Sequence, residues 1–182
     1  MAQNDSGIIA AIIGLCGTIV AAIITSIVEN YHRKKSLRIA TALEMHKEFE
    51  SDIPYRHRCG ADKWLNNNQE GLIDDIYKRS NPIDMEDISY VINFYWRLYQ
   101  SAKYKQVDKI IIFDLFARNF IWWHIHFFEK KLIPSSWTRS IDFRMIYGWF
   151  EETSISLNKH GWFLEVKKEY EEMYSKRFTS AT

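Results

Sequence analysis

The stretch GIIAAIIGLCGTIVAAIITSIVEN, from Gly7 to Asn30, decides the fold class, because it is apolar and free of charge as far as Glu29. The hydrocarbon core of a bilayer is ~30 Å thick and an α-helix rises ~1.5 Å per residue, so about 20 apolar residues can cross it. We therefore predict a transmembrane helix over residues 7–28, preceded by a short extracytoplasmic N-terminus over residues 1–6.

The charges on either side of this span predict its orientation. Ahead of it only Asp5 is charged, whereas a cleaved signal peptide begins with basic residues. The basic residues follow the span, as His32, Arg33, Lys34, Lys35 and Arg38. The positive-inside rule then places the N-terminus outside and the rest of the chain in the cytoplasm, as a single-pass protein in contact with membrane lipid.

Small residues gather on one face of the predicted span. On a helical wheel they occupy roughly 140° of the circumference, and Ile, Leu and Val occupy most of the rest. Helices associate in lipid where small side chains let their backbones approach, so we expect this face to pack against another copy of the chain. The expected packing residues are Gly7, Ala10, Ala11, Gly14, Gly17 and Ala21. In an assembly of three or more copies, the pore-lining candidates are Thr18, Thr25 and Glu29, and a tight dimer without a lumen satisfies the wheel equally well.

The remainder of the chain has the apolar spacing of helices and predicts an all-α fold. We predict a juxtamembrane helix over residues 29–51 that continues the span, and a cytosolic multi-helix domain over residues 52–182. Pro54, Gly60, the asparagines at 66–68 and Gly71 are expected to divide the first part of this domain into short helices and turns. Helices are then expected from about Asp84, after Asp108, and over two segments near the C-terminus.

The helix expected after Asp108, KIIIFDLFARNFIWWHIHFFEKKLI, is apolar on nearly all sides and ends before Pro134. Such a helix is either the buried centre of a domain or a second membrane span. Asp114 and Arg118 favour the buried centre, because a charged residue in mid-membrane costs about 2.5–3.5 kcal/mol on insertion scales.

Composition and motifs give little support for catalysis. The net charge is +1, and the chain has only two cysteines and seven glycines. Patterns such as GxSxG, HExxH, GxxxxGK and GxGxxG do not occur in the sequence. His124 and His126 are two residues apart, so on a helix they point to different faces and are expected to make core contacts. We therefore predict no enzyme activity, no cofactor and no metal site.

One cytosolic stretch, YRHRCGADKW, has the composition of a ligand site. It interleaves cations that can contact phosphates with rings that can stack on bases, as a short oligonucleotide or nucleotide messenger would require. The ligand-binding candidates are Tyr55, Arg56, His57, Arg58, Lys63 and Trp64. The alternative interpretation is an ordinary charged surface loop.

The central stretch VINFYWRLYQSAKYKQVDKIIIFDLFARNFIWWHIHFF resembles the core of a widespread, uncharacterised bacterial family of small helical proteins, often with one N-terminal span. The shared features are an aromatic helix from Val91 to Tyr99, a basic turn from Lys103 to Lys105, Asp108 opening the next helix, and Trp122 with Trp123 near its end. The sequence departs from the family at Trp96, where an acidic residue is usual, and at Gln106, where Gly is usual.

The architecture is also similar to the membrane effectors of the Hailong anti-phage defence system. This resemblance implies an oligomeric ion channel in the bacterial inner membrane, controlled by an oligonucleotide from a partner nucleotidyltransferase. It transfers no individual site residue. The sequence thus predicts a homo-oligomeric membrane effector, with a membrane-tethered adaptor that dimerises through its span and docks a cytosolic protein as the alternative.

Overall fold

The structure is a computed structural model that describes residues 2–68, 75, 78, 80–128 and 143–179. These ranges contain the helices α1 (Ala2–Glu50), α2 (Asp52–Asn67), α3 (Pro82–Lys103), α4 (Lys109–Trp123), α5 (Phe143–Ser156) and α6 (His160–Thr179). A π-helical turn, His124–Phe128, follows α4. No strand occurs in the described ranges, so the predicted all-α fold is confirmed.

The helix α1 continues past the apolar stretch to Glu50, as expected, since neither Pro nor Gly occurs in it after Gly17. It is the one helix, within the described ranges, that is long and apolar enough to cross a membrane. The chain divides into two compact units, Met1–Arg38 and Ile39–Thr182. The second unit includes the end of α1, where Ala42, Met45 and Phe49 are buried in its core.

The helix α2 replaces the short helices and turns expected around Pro54 and Gly60, and that expectation was wrong for residues 52–67. Pro54 lies in the first turn, where a missing N–H removes no intrahelical hydrogen bond. Gly60 faces Asp87 of α3: a Cβ at position 60 would be 2.5 Å from Asp87 Cγ and closer still to Oδ2. Gly60 therefore serves helix packing. Gly71 lies outside the described residues.

Side-chain caps set the starts of α3 and α4. The Asn81 Oδ1 accepts the N–H of Ile83 at 2.7 Å, so α3 begins slightly before the Asp84 that the sequence suggested. Asp108 caps α4, as predicted, and its Oδ1 accepts the N–H groups of Ile110 at 3.0 Å and Ile111 at 3.2 Å. The predicted end of this helix before Pro134 falls outside the described residues.

An aromatic core holds α3 to α6 together, with α4 at its centre. Fully buried members include Tyr95 on α3, Phe116 and Phe120 on α4, Phe150 on α5 and Phe163 on α6. The rings of Phe120 and Phe150 stack with their centroids 4.6 Å apart. Because most of its apolar residues, from Ile112 to Trp123, are buried inside the second unit, α4 is the buried centre that Asp114 and Arg118 indicated. Those two residues lie on its surface: Asp114 pairs with Lys159, just before α6, and Arg118 pairs with Glu169 of α6.

Candidate functional site

The small-residue face of α1 consists of Gly14, Gly17, Thr18, Ala21, Ala22, Thr25 and Glu29, all exposed in the structure. A Cβ placed on Gly14 or Gly17 would meet no atom within 4 Å. This face is therefore uncovered over residues 14–29 of α1. Gly7, Ala10 and Ala11 lie outside the residues whose side chains the structure describes.

The remaining surface of the apolar stretch is also uncovered. Its exposed large side chains are Leu15, Ile19, Val20, Ile23, Ile24, Ile27 and Val28. None of the most apolar segment of α1 is buried against the described chain. A contiguous apolar surface of this size is unfavourable in water and requires lipid or protein around it.

The three pore-lining candidates share one line along α1. Thr18, Thr25 and Glu29 are separated by seven and four residues, spacings that return to the same helix face. The Thr18 hydroxyl donates to the Leu15 carbonyl at 2.8 Å, so within its own helix this hydroxyl already has an acceptor. In apolar surroundings such a bond removes most of the penalty for a buried hydroxyl.

The ligand candidates from Tyr55 to Trp64 do not form one surface, because α2 turns them to opposite sides. Tyr55, Arg56 and Lys63 are exposed, together with Cys59. They fall within about one quarter of the helix circumference, given ~100° per residue. This exposed group, defined here as the α2 surface, retains two cations and one ring. A hydrogen bond with the Cys59 thiol raises the pKa of Tyr55.

Arg58 points inward and is engaged with the end of α1. Its guanidinium lies 3.7 Å from the centroid of the Phe49 ring and donates a hydrogen bond to the Phe49 carbonyl oxygen. It also approaches Glu50 Oε1 at 3.7 Å, and its side chain is only 15% exposed. A cation at a helix C-terminus is favourable because the last carbonyls carry partial negative charge. Arg58 therefore caps α1.

His57 and Trp64 are likewise engaged inside the domain. The His57 Nδ1 donates to Asp87 Oδ1 at 2.7 Å, and its ring stacks on Tyr90 with a centroid distance of 4.5 Å. Burial raises the pKa of Tyr90. Trp64 is buried and its indole N–H donates to Ser80 Oγ at 2.8 Å. Three of the six ligand candidates thus hold the α2–α3 pair and the end of α1 together.

The histidine pair after α4 makes the core contacts expected of it. The His124 ring stacks on Tyr147 at 4.2 Å, and burial, with a further contribution from Lys167, lowers its pKa to about 4. The His126 ring stacks on Trp122 at 4.4 Å, and its Nδ1 lies 2.8 Å from the Trp122 carbonyl oxygen. Within the described ranges no group of three or more His, Cys, Asp or Glu could hold a metal ion.

Sequence reasoning missed Cys59, because a single cysteine between Arg58 and Gly60 gives no signal of which helix face it occupies. It also missed the capping role of Arg58, which depends on where α1 ends.

No protein-family model, curated protein or solved structure matches this chain. The resemblance to the Hailong effectors accordingly stays a prediction from the sequence.

Proposed function

We propose that this chain is a homo-oligomeric membrane effector, in which the apolar part of α1 spans the bilayer and associates through the small-residue face. The observation that supports this most directly is the open surface of α1 at Gly14 and Gly17, where a Cβ would meet no atom within 4 Å. Lipid tails give apolar helices no hydrophobic reason to associate, so close backbone contact at small residues is the available source of affinity. A second copy offers the same small residues.

In this proposal the assembled spans form an ion-conducting path lined by Thr18, Thr25 and Glu29. The Glu29 carboxylates would form a charged ring at the cytosolic mouth and favour cations. The helical domain would respond to a short oligonucleotide or nucleotide messenger from a partner nucleotidyltransferase, in a bacterial anti-phage system. The candidate contact is the α2 surface, because its cations and its ring are exposed while Arg58, His57 and Trp64 are engaged elsewhere.

Assembly is tested by counting subunits in native membranes, using bleaching steps of a fluorescent label on the wild-type chain and its variants. Gly14→Leu should reduce the subunit count, since the added side chain separates the backbones. Cys16→Leu enlarges a residue on the opposite, lipid-facing side and serves as the matched control. An unchanged count in Gly14→Leu, with Cys16→Leu also unchanged, would remove the small-residue face as the interface.

Conduction is tested by recording current across a planar bilayer that contains the verified oligomer, with and without short single-stranded oligonucleotides. Stepwise currents whose cation preference falls in Glu29→Gln are expected.

For the ligand, Arg56→Glu with Lys63→Glu should weaken oligonucleotide binding. The variant Lys47→Glu with Lys168→Glu makes the same charge change elsewhere on the domain and should bind normally. Equal affinity of both double variants would exclude the α2 surface.

The membrane-tethered adaptor is the second candidate, and the Thr18 hydrogen bond is compatible with it. Because this hydroxyl donates to the Leu15 carbonyl of its own helix, it can be buried in a tight, lumen-free dimer without losing a partner. Subunit counting separates the two functions: a constant count of two and no current under any ligand would support the adaptor.

A further inference from the structure

The end of the domain where α4 begins and α5 ends carries cations and exposed large side chains together. We define this surface, the lysine-rich end, by Tyr104, Lys105, Lys109, Ile110, Ile155 and Trp162. Tyr104 is 66% exposed, Ile155 59%, Ile110 45% and Trp162 39%. The two lysines are also exposed. Exposure of large apolar side chains to water is unfavourable, and several of them at one place are typical of an interaction surface.

Two contacts show that residues distant in sequence meet there. The Lys109 Nζ donates to Ser156 Oγ at 3.3 Å, which joins the start of α4 to the end of α5. The Trp162 ring packs edge-on against Phe113, with centroids 5.8 Å apart, one turn beyond Ile110. The turn that holds Tyr104 and Lys105 leads directly into α4, and Lys105 adopts a positive φ of 56° in it.

The charges around this surface are mixed, and its lysines are concentrated in one segment of the chain. Asp108 accepts the first N–H groups of α4, and Asp114 pairs with Lys159. Glu152 lies one turn before Ile155 on α5, and Glu165 lies one turn after Trp162 on α6. Over residues 103–110, Lys103, Lys105 and Lys109 accompany a single acid, Asp108, so this segment carries a formal charge of +2 on a protein whose net charge is only +1.

We propose that the lysine-rich end binds the anionic headgroup surface of the bilayer, so that the domain contacts the membrane independently of the span. Trp and Tyr favour the headgroup region, lysines are attracted to anionic lipids, and exposed Ile side chains gain free energy on entering the acyl boundary. A nucleic acid is the poorer fit, because the surface has no arginine for bidentate phosphate contact and its Ile side chains gain nothing from phosphodiesters. The inference rests on the proposed membrane anchoring by α1, which makes even a weak surface contact effective by raising its local concentration.

The test uses the full chain in nanodiscs, with a spin label at exposed Gln106 introduced as Gln106→Cys in a Cys16→Ala, Cys59→Ser background. The label's collision rates with oxygen and with a water-soluble nickel chelate report its depth. In nanodiscs of phosphatidylglycerol the label should be shielded from nickel, and in phosphatidylcholine it should be accessible. Lys105→Gln with Lys109→Gln should abolish the shielding, since each lysine near an anionic surface changes the equilibrium about fivefold.

Two controls keep the outcomes distinct. Lys47→Gln with Lys168→Gln removes the same charge from other faces and should preserve the shielding. Equal nickel access in both lipids overturns the inference, as does shielding that appears in phosphatidylcholine only when a short single-stranded DNA is added, which would make nucleic acid the partner. Failure of the membrane anchoring itself is seen separately, as a chain that leaves the membrane fraction on alkaline washing.

Discussion

At the scale of single residues, Asp87 on α3 restricts position 60 of α2 to glycine. A side chain at this position would displace the Asp87 carboxylate, which holds His57 at 2.7 Å. Gly60→Ala should therefore lower the free energy of unfolding by about 1–2 kcal/mol: losing a hydrogen bond to a charged group costs ~1.5–3 kcal/mol, and Ala returns up to ~1 kcal/mol of helix propensity. Urea unfolding in detergent, followed by tryptophan fluorescence, measures this, because all seven tryptophans lie beyond Arg38.

A second glycine and a second background control this prediction. Gly148 also lies in a helix, but a Cβ on it would meet no atom within 4 Å, so Gly148→Ala should stabilise the domain slightly. In an Asp87→Ala background, Gly60→Ala should no longer destabilise. An equal loss with and without the Asp87 carboxylate would show that another contact restricts position 60.

His124 should make the stability of the domain depend on pH. Burial lowers its pKa to about 4, whereas in the unfolded chain the value is about 6.5. Between these pH values the unfolded state binds the proton more strongly than the folded state. The contribution of His124 to the free energy of unfolding is therefore fully present above about pH 6.5 and falls by up to about 3 kcal/mol as the pH approaches 4. Comparing urea unfolding at pH 7.5 and pH 5 measures part of this loss.

The variant His124→Phe isolates the residue, since a phenyl ring can keep the contact with Tyr147 and cannot titrate. It should lose less stability than the wild type on going from pH 7.5 to pH 5. The same loss in both proteins would assign the effect to other groups.

At the scale of the element, the last turn of α1 depends on Arg58 of α2. Its guanidinium covers the Phe49 ring and donates to the Phe49 carbonyl. Arg58→Ala should cost about 1.5–3 kcal/mol and speed hydrogen exchange of the amides at the end of α1. Arg58→Lys should recover only part of this, because an ammonium lacks the planar fork. Arg56→Ala, two residues away and exposed, should leave exchange unchanged, and equal effects of the two alanine variants would contradict the capping role.

The helices were predictable where their signals are local. Asp108 lies beside the N–H groups that it caps, and the apolar spacing of α5 and α6 is contained in each segment. The helix α2 was not predictable, because the role of Gly60 is set by Asp87 on α3. Which ligand candidates are exposed and which are buried could not be predicted for a related reason. A helix turns about 100° per residue, and the sequence of Arg56, His57 and Arg58 does not indicate which arc of the helix meets the core.

At the scale of the whole molecule, the two units differ in where their apolar residues are buried. The described core residues, from Ala42 to Val166, all belong to the second unit. A chain that begins at Ile39 should therefore be soluble without detergent, keep its helical circular dichroism and unfold cooperatively at nearly the urea midpoint of the full chain. A truncated chain with helical content but no cooperative transition would show that the first unit contributes to this core.

The contact between Gly60 and Asp87 also has a consequence for the order of substitutions along a lineage. A side chain at position 60 is disfavoured while the Asp87 carboxylate is present, and it becomes tolerable once that carboxylate has gone. The reverse order passes through an intermediate that carries the steric conflict. After an alanine has been established at position 60, a return of aspartate at 87 would meet the same conflict, so the first change is difficult to reverse.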